Sequence, residues 1–455
     1  MSIFDKVIEI YRDKYICSHC LGRMFSLLGT DTTNRDRGNS LLLAITMDKH
    51  RTYLSQQNNH DNASQILKLL AEKAKFTPAQ SVLEKEGIEY SKPDFAEKCY
   101  LCDDIFYDTV VYAKSAENFL KNVEFTNFLI GTALDAQIIN KEDNFKATHN
   151  LLEAESFKNH FNREVGKELS LILGKPAEFG MPDITIIYSL KYGSFDITLL
   201  LRSIFVYGRY NKFVRGIPQT HWNCRLCRGK GCESCKFTGK QYQISVEELI
   251  SPKFVNEAKA DGSKFHGAGR EDIDVRMLGT GRPFILELIN PKIRTFDLKK
   301  IQNKVNKTNK KKIKVSDLKY SSKERVKNMK LNAENTKKVY NALVISKEKI
   351  SKGNFDVLLK KLKIVYEKQK LKQRTPIRVS HRRADKIREK KIFRVEGKFI
   401  KPNVSEFIVE AQGGTYIKEL ISGDNGRTTP SFSDIYGFSL ECKKLDVISV
   451  KSKNK

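Results

Sequence analysis

The stretch GAGREDIDVRMLGTGRPFILEL, residues 267–288, sets Glu271, Asp272 and Asp274 in a glycine- and arginine-rich turn before a long run of β-formers. A carboxylate beside cationic groups stays ionised at neutral pH, because neighbouring positive charge lowers its pKa. That suits a nucleophile or an electrostatic stabiliser better than a general acid. A carboxylate that merely caps a turn would fit the same letters, so this stretch does not choose alone. In KKVYNALV, Tyr340 stands between basic and apolar residues. An aromatic ring next to cations suits stacking on a nucleobase, although a single tyrosine serves a core equally well. In EAQGGTYIKELISGDNGRTTPS, residues 410–431, Gly413 and Gly414 lead into Tyr416 and Lys418. In an extended segment these two side chains share a face, giving one cleft an aromatic platform and a counter-ion, or else an ordinary edge strand.

Metal chemistry is the second possibility. Eight of the nine cysteines form four CxxC pairs: Cys17/Cys20, Cys99/Cys102, Cys224/Cys227 and Cys232/Cys235, with Cys442 left over. A CxxC turn converges two thiolates on one ion, and two such turns complete a tetrahedral zinc site. Four thiolates leave no open coordination position, so the zinc expected here is structural. Glycines around the 224–235 cluster permit the tight turns that metal knuckles require. No phosphate-binding GxxxxGK[ST] loop appears, and Gly279-Thr280-Gly281-Arg282 runs into Pro283 and β-formers rather than a helix. No organic cofactor is expected.

The elements that position these residues can be read more coarsely. The 455 residues allow two to four domains, taking roughly 100–200 residues per domain. Pairing the first two CxxC turns encloses a stretch read as loop-rich, including the polar run Gln56-Gln57-Asn58-Asn59-His60-Asp61-Asn62. From about 105 to 207 the chain reads as an α/β unit. Phe157, Phe161, Val165 and Leu169 recur every four residues, one apolar helix face ending near Gly174. Two β-rich runs then meet at Lys191-Tyr192-Gly193-Ser194, a hairpin signal. Residues 299–314 hold eight lysines in sixteen positions, which reads as a solvated, mobile arm touching RNA phosphates or as a merely solvated surface. The last five residues read as a frayed tail.

With 82 basic against 54 acidic residues the net charge is +28, which calls for a polyanionic partner. MSIFDKVIEIYRDKY alternates charge with apolar residues and carries no signal-peptide h-region. Apolar runs such as Ile197 to Leu201 are far below the ~20 residues of a membrane span. A soluble, cytoplasmic protein is expected.

Taken together, these stretches resemble the Pus10 family of tRNA pseudouridine synthases of archaea and eukaryotes. The resemblance runs almost end to end: both N-terminal CxxC pairs, GRY…RGIPQT, SVEELISP, GREDIDVRMLGTGRPF, QRTPIRVSHRR and GGTYIKEL…GDNGRTTPS. The 224–235 cysteine cluster is similar to archaeal members. The lysine enrichment and the Gln/Asn run near 56–62 depart from the family. The resemblance implies an α+β architecture in three parts. Residues 1–104 would form a zinc-stapled module and 105–207 a THUMP-like RNA-binding domain. Residues 208–455 would form a catalytic domain on a mixed, mainly antiparallel sheet, with the cysteine cluster at 221–240 and a basic arm at 297–338. It also implies isomerisation of uridine 54, 55 or both in the T-loop of tRNA, held at the T-arm and the acceptor end; no protein partner is evident in the sequence and no membrane is expected. The family nucleophile falls on Asp272, with Asp274 and Glu271 as competitors; on a strand Glu271 would face the other way. The base-stacking tyrosine falls on Tyr340, the second active-site tyrosine on Tyr416, and the basic partner of the carboxylate on Lys418.

Overall fold

The computed structural model describes residues 2–55, 60–332 and 336–451, and the chain divides into two compact units, 1–202 and 203–455. The first unit begins with helices α1 (Ile3–Asp13), α2 (Ser18–Met24), α3 (Asn34–Leu54), α4 (His60–Glu72) and α5 (Thr77–Lys85). The region between the first two cysteine pairs is therefore helical, not loop-rich. Its apolar residues return at helical spacing: Ile66, Leu67, Leu70 and Ala71 of α4 are all buried. Helices α2 and α3 cross closely because Gly22 and Gly38 carry no side chain. A Cβ on Gly22 would lie 1.7 Å from the Asn34 carbonyl oxygen, and one on Gly38 2.0 Å from that of Ser18. Of the polar run, Gln56 to Asn59 lie outside the described residues, while His60, Asp61 and Asn62 open α4.

The rest of this unit is the α/β part: α6 (Thr109–Leu120), β1 (Phe128–Leu134), α7 (Ala136–Thr148), α8 (Phe157–Leu173), β2 (Ile184–Lys191) and β3 (Ser194–Leu201). Helix α8 follows the four-residue repeat, burying Phe157, Phe161, Val165 and Leu169 and closing on Gly174 in the left-handed conformation. β1 pairs parallel to β2, and β2 returns antiparallel as β3 with Lys191 opposite Ser194, the expected hairpin.

The second unit holds β4 (Ile204–Lys212), α9 (Val246–Ala258), β5 (Gly262–Gly267), β6 (Arg276–Ile289), α10 (Leu298–Thr308), β7 (Ile313–Ser321), α11 (Lys323–Leu331) and β8 (Lys337–Ser346). It continues through α12 (Lys352–Lys368), β9 (Leu371–Arg374), β10 (Ile387–Lys390), β11 (Ile392–Lys401), β12 (Val404–Gln412), α13 (Ile417–Ser422), β13 (Thr428–Thr429), α14 (Phe432–Tyr436) and β14 (Leu440–Lys451). Eight of these strands form one sheet, in the order β11-β12-β8-β14-β6-β4-β7 with β5 on β6. Every pair in it is antiparallel except β14 with β6. This is the mixed, mainly antiparallel sheet that the resemblance implied. The parallel seam is short, pairing only Asp446 with Arg276 and Val447 with Met277, and the site opens beside it.

The lysine-rich run at 299–314 is not an irregular arm. Asp297 caps α10 by accepting from the Lys299 and Lys300 amides, and Ile301 and Val305, four residues apart, are fully buried. Two apolar anchors on one face suffice to seat an amphipathic helix while its lysines face water. The expected frayed tail falls largely outside the described residues, with Lys451 closing β14.

Candidate active site

Four separate segments of the second unit reach one cavity of about 230 Å³. The loop between β5 and β6 supplies Asp272, β8 supplies Lys338 and Tyr340, the turn at Ile377–Arg382 supplies Arg378, and the segment entering α13 supplies Tyr416 and Lys418. All four residues expected to converge from the sequence (Asp272, Lys418, Tyr340 and Tyr416) line this cavity.

The acidic cluster is divided by burial. Residues 271–275 form a turn rather than a strand, yet Glu271 and Asp272 still point opposite ways. Glu271 faces the core, accepting from the Tyr210 hydroxyl at 2.8 Å and pairing with Arg282 at 2.8 Å. The buried Lys212 ammonium stands 4.0 Å from Glu271 and donates to the carbonyls of Ile217, Asp272 and Ile273. This network pins the backbone of the turn from beneath, leaving the Asp272 carboxylate half-buried on the cavity side. Asp274 stands further out, 63% exposed, against the Lys418 ammonium at 2.6 Å. Burial would raise the Asp274 carboxyl, but the Lys418 hydrogen bond and charge outweigh it and hold it below its ordinary value.

The cation nearest Asp272 is one the sequence reading left without a role. Arg378 Nη2 lies 3.0 Å from Asp272 Oδ2, whereas Lys418 Nζ is 4.0 Å away. Arg378 also donates through Nε to the buried Glu419 at 2.6 Å, so one guanidinium ties both carboxylates together. Burial works against its charge, but Glu419 and Asp272 overcome this and keep it firmly protonated. Arg378 lies within QRTPIRVSHRR, already noted in the sequence. Its pairing with a turn about a hundred residues upstream had no local signal.

Tyr416 and Lys418 do not share a strand. The chain leaves β12 at Gln412, reverses at Gly414 in the left-handed region (φ +85°), and enters α13 with Tyr416 as the capping residue. Gln373 clamps Tyr416 through both its amide N–H and its carbonyl oxygen, at 2.9 and 2.8 Å, and Arg383 donates to its hydroxyl at 3.0 Å. Tyr340 is 8% exposed, and burial pushes its phenol up to about 12, so it stays neutral at physiological pH. Its strand neighbour on the same face, Lys338, is also buried, and burial with the nearby Arg282 brings its ammonium down to about 7. The result is a cleft with a fixed, paired carboxylate at its wall and aromatic rings around it. Such a cleft can hold a planar base and present a carboxylate oxygen to a carbon beside it.

Two cysteine tetrads are preformed. The sulfurs of Cys17, Cys20, Cys99 and Cys102, and those of Cys224, Cys227, Cys232 and Cys235, lie within 4.8 Å of one another in each set. A metal–sulfur bond of about 2.3 Å gives a tetrahedral edge of about 3.8 Å. Cys17 to Cys102 is 3.6 Å, and in the second set Cys224–Cys232, Cys227–Cys235 and Cys232–Cys235 are 3.9, 3.8 and 3.7 Å. Backbone N–H groups of Gly231, Cys232 and Gly239 point at these sulfurs, as befits thiolates made ready for an ion. Both tetrads fit a tetrahedral metal.

The Pus10 C-terminal family profile matches residues 205–451, and the archaeal Pus10 THUMP profile matches residues 112–189. A relative from Methanothermobacter marburgensis, called tRNA pseudouridine synthase Pus10, is 38% identical, covering 98% of this chain and 97% of its own. One of the same name from Methanocaldococcus jannaschii is 40% identical over 98% of this chain and 94% of its own. On these matches the protein is a pseudouridine synthase, an enzyme of the isomerase class. It belongs to the Pus10 family.

Proposed function

We propose that this chain isomerises uridine in the T-loop of tRNA, at position 54, 55 or both, with Asp272 as the nucleophile. The observation carrying this reading is the Asp272 carboxylate held 3.0 Å from Arg378 in a cavity that Tyr340 and Tyr416 also line. In the reaction the N1–C1′ bond breaks, the uracil turns, and C5 bonds to C1′; C5 gives up a proton and N1 gains one, so mass is unchanged. The target base must leave the stack to reach the cavity, at a cost of a few kcal/mol. Tyr340 stacks on it and excludes water. Asp272 acts at C1′ through a carboxylate oxygen, either bonding to the carbon or assisting elimination, and Arg378 and Lys418 hold it in position. Asp274 is better suited to holding Lys418 in place. The THUMP-matching part, within 105–207, grips the tRNA away from the reacting base towards the acceptor end, and residues 208–455 hold the T-arm. The two tetrads take structural zinc, the first stapling the module of residues 1–104. No helix among the described residues is long and apolar enough to cross a membrane, and we place the enzyme in the cytoplasm with its substrate.

Asp272→Asn tests the assignment. It is expected to abolish pseudouridine in a T-loop transcript, read by carbodiimide derivatisation, while tRNA affinity stays within a few-fold. Product forming at a comparable rate would remove Asp272 from the role. Transcripts carrying cytidine at one of the two positions decide which uridine reacts.

A further inference from the structure

Lys338 is a buried cation without a counter-ion, and the reaction as described above gives it no task. Strand β8 alternates, so Lys338 shares its buried face with Tyr340, Ala342 and Val344. Its neighbours across the sheet are Ala411 on β12 and Val450 on β14. An apolar side chain would suit that setting, yet a lysine occupies it at 6% exposure. Among the described residues its ammonium makes no hydrogen bond and no ion pair. The buried carboxylate of this region, Glu271, is already committed. Both its oxygens accept from the Tyr210 hydroxyl, and Arg282 and Lys212 bring two positive charges to it. An unpaired buried cation is costly, and a ligand that brings an acceptor relieves that cost.

The Lys338 side chain lines the same cavity as Asp272, Tyr340 and Tyr416. Gly269 leaves it room there: a Cβ at that position would stand 3.0 Å from Lys338 Nζ and 3.2 Å from Arg282 Nη1. Two residues along a strand are about 7 Å apart, so a ring stacked on Tyr340 turns one edge towards Lys338. Uracil carries a carbonyl oxygen on each side of N3, and both are acceptors. When N1–C1′ breaks, the bonding pair stays with the ring, and its negative charge spreads onto those two oxygens. A donor fixed beforehand where charge develops, in a site that excludes water, lowers the barrier to that step.

We propose that Lys338 is a catalytic residue that binds the base: its Nζ donates to a carbonyl oxygen of the flipped uracil and stabilises the charge the ring gains when N1–C1′ breaks. This rests on the isomerase reading above. Lys338 keeps its own protons throughout; C5 bonds to C1′, the C5 proton leaves, and N1 gains one. Lys338→Met keeps the length of the side chain and removes the donor. The variant is expected to fold, as its urea midpoint reads, and to bind a tRNA transcript like the parent. Its single-turnover rate is expected to fall roughly a hundredfold. Transcripts with 2-thiouridine or 4-thiouridine at the target replace one carbonyl oxygen with sulfur, a weaker acceptor, and nucleoside chromatography after digestion reads the product. Sulfur at the contacted position is expected to slow the parent about tenfold more than it slows Lys338→Met, which identifies O2 or O4 as the acceptor. Equal thio effects in parent and variant overturn the inference, and so does a Lys338→Met rate on uridine equal to the parent's. A variant that does not fold also overturns it, by making the ammonium part of the scaffold. A parent that forms no pseudouridine removes the isomerase reading and this one with it, whereas an active parent matched by Lys338→Met removes this one alone.

Discussion

Arg378 is where the geometry changes the chemistry expected of single residues. A guanidinium offers a rigid fork of donors, and here it divides them between Asp272 and the buried Glu419. Lysine is a point charge and cannot serve both, so Arg378→Lys is expected to lower kcat on the order of tenfold to a hundredfold with little change in KM; single-turnover kinetics check this. Lys338 gives a residue-scale prediction with a definite sign. Its ammonium is brought to about 7 in the folded chain, by burial first and then by Arg282 and Lys390, with Glu271 opposing them. Because the unfolded lysine titrates at its ordinary, higher value, the unfolded state binds more protons between those two values. The folded chain carries the cost of a buried cation below pH 7 and is relieved of it as pH rises towards 10. Lys338→Met removes this dependence: its stability relative to the parent is expected to be greatest at or below pH 7 and to decline above it. Urea midpoints at pH 6 and pH 9 read this difference; a constant difference would contradict it.

At the scale of elements, two staples and one seam do most of the positioning. Cys17 and Cys20 lie at the start of α2, and Cys99 and Cys102 beyond α5, so a single ion there would tie together segments about eighty residues apart in the chain. Closing so long a loop removes considerable freedom from the unfolded chain. Cys99→Ser is expected to cost one zinc equivalent per chain and to lower Tm by several degrees, with the 224–235 tetrad still loaded; metal analysis beside calorimetry separates the two sites. Less than one zinc per parent chain would refute the metal assignment. In the sheet, the short parallel pairing of β6 with β14 lets the 268–275 turn meet β8 and the α13 entry. The lysine-rich segment after it shows how pattern misleads. Eight lysines drew attention to charge, while Ile301 and Val305, at helical spacing, had already decided the structure.

For the whole molecule the controlling number is the net charge of +28. Phosphate neutralisation releases counterions, so affinity for tRNA is expected to fall at least about a hundredfold between 50 and 200 mM salt, the response of four or more phosphate contacts. Filter binding or fluorescence anisotropy across that range measures the slope. A flat response would mean that the lysines are only solvated.

Sequence alone determined what depends on local spacing or residue type. Four CxxC pairs announced two tetrads, the Phe157 repeat announced α8, the Lys191–Ser194 turn announced a hairpin, and the motifs from GRED to GGTYIKEL announced the family. These survive because a helix face, a turn or a thiolate knuckle is set within a few residues of chain. The tertiary structure decided what depends on distant partners. It turned Glu271 into the core and Asp272 into the cleft, put Tyr416 and Lys418 on a helix start, and brought Arg378 closer to Asp272 than Lys418. Each of those outcomes is fixed by burial and by charges arriving from segments far apart in the chain, and such energies have no signature in any one stretch.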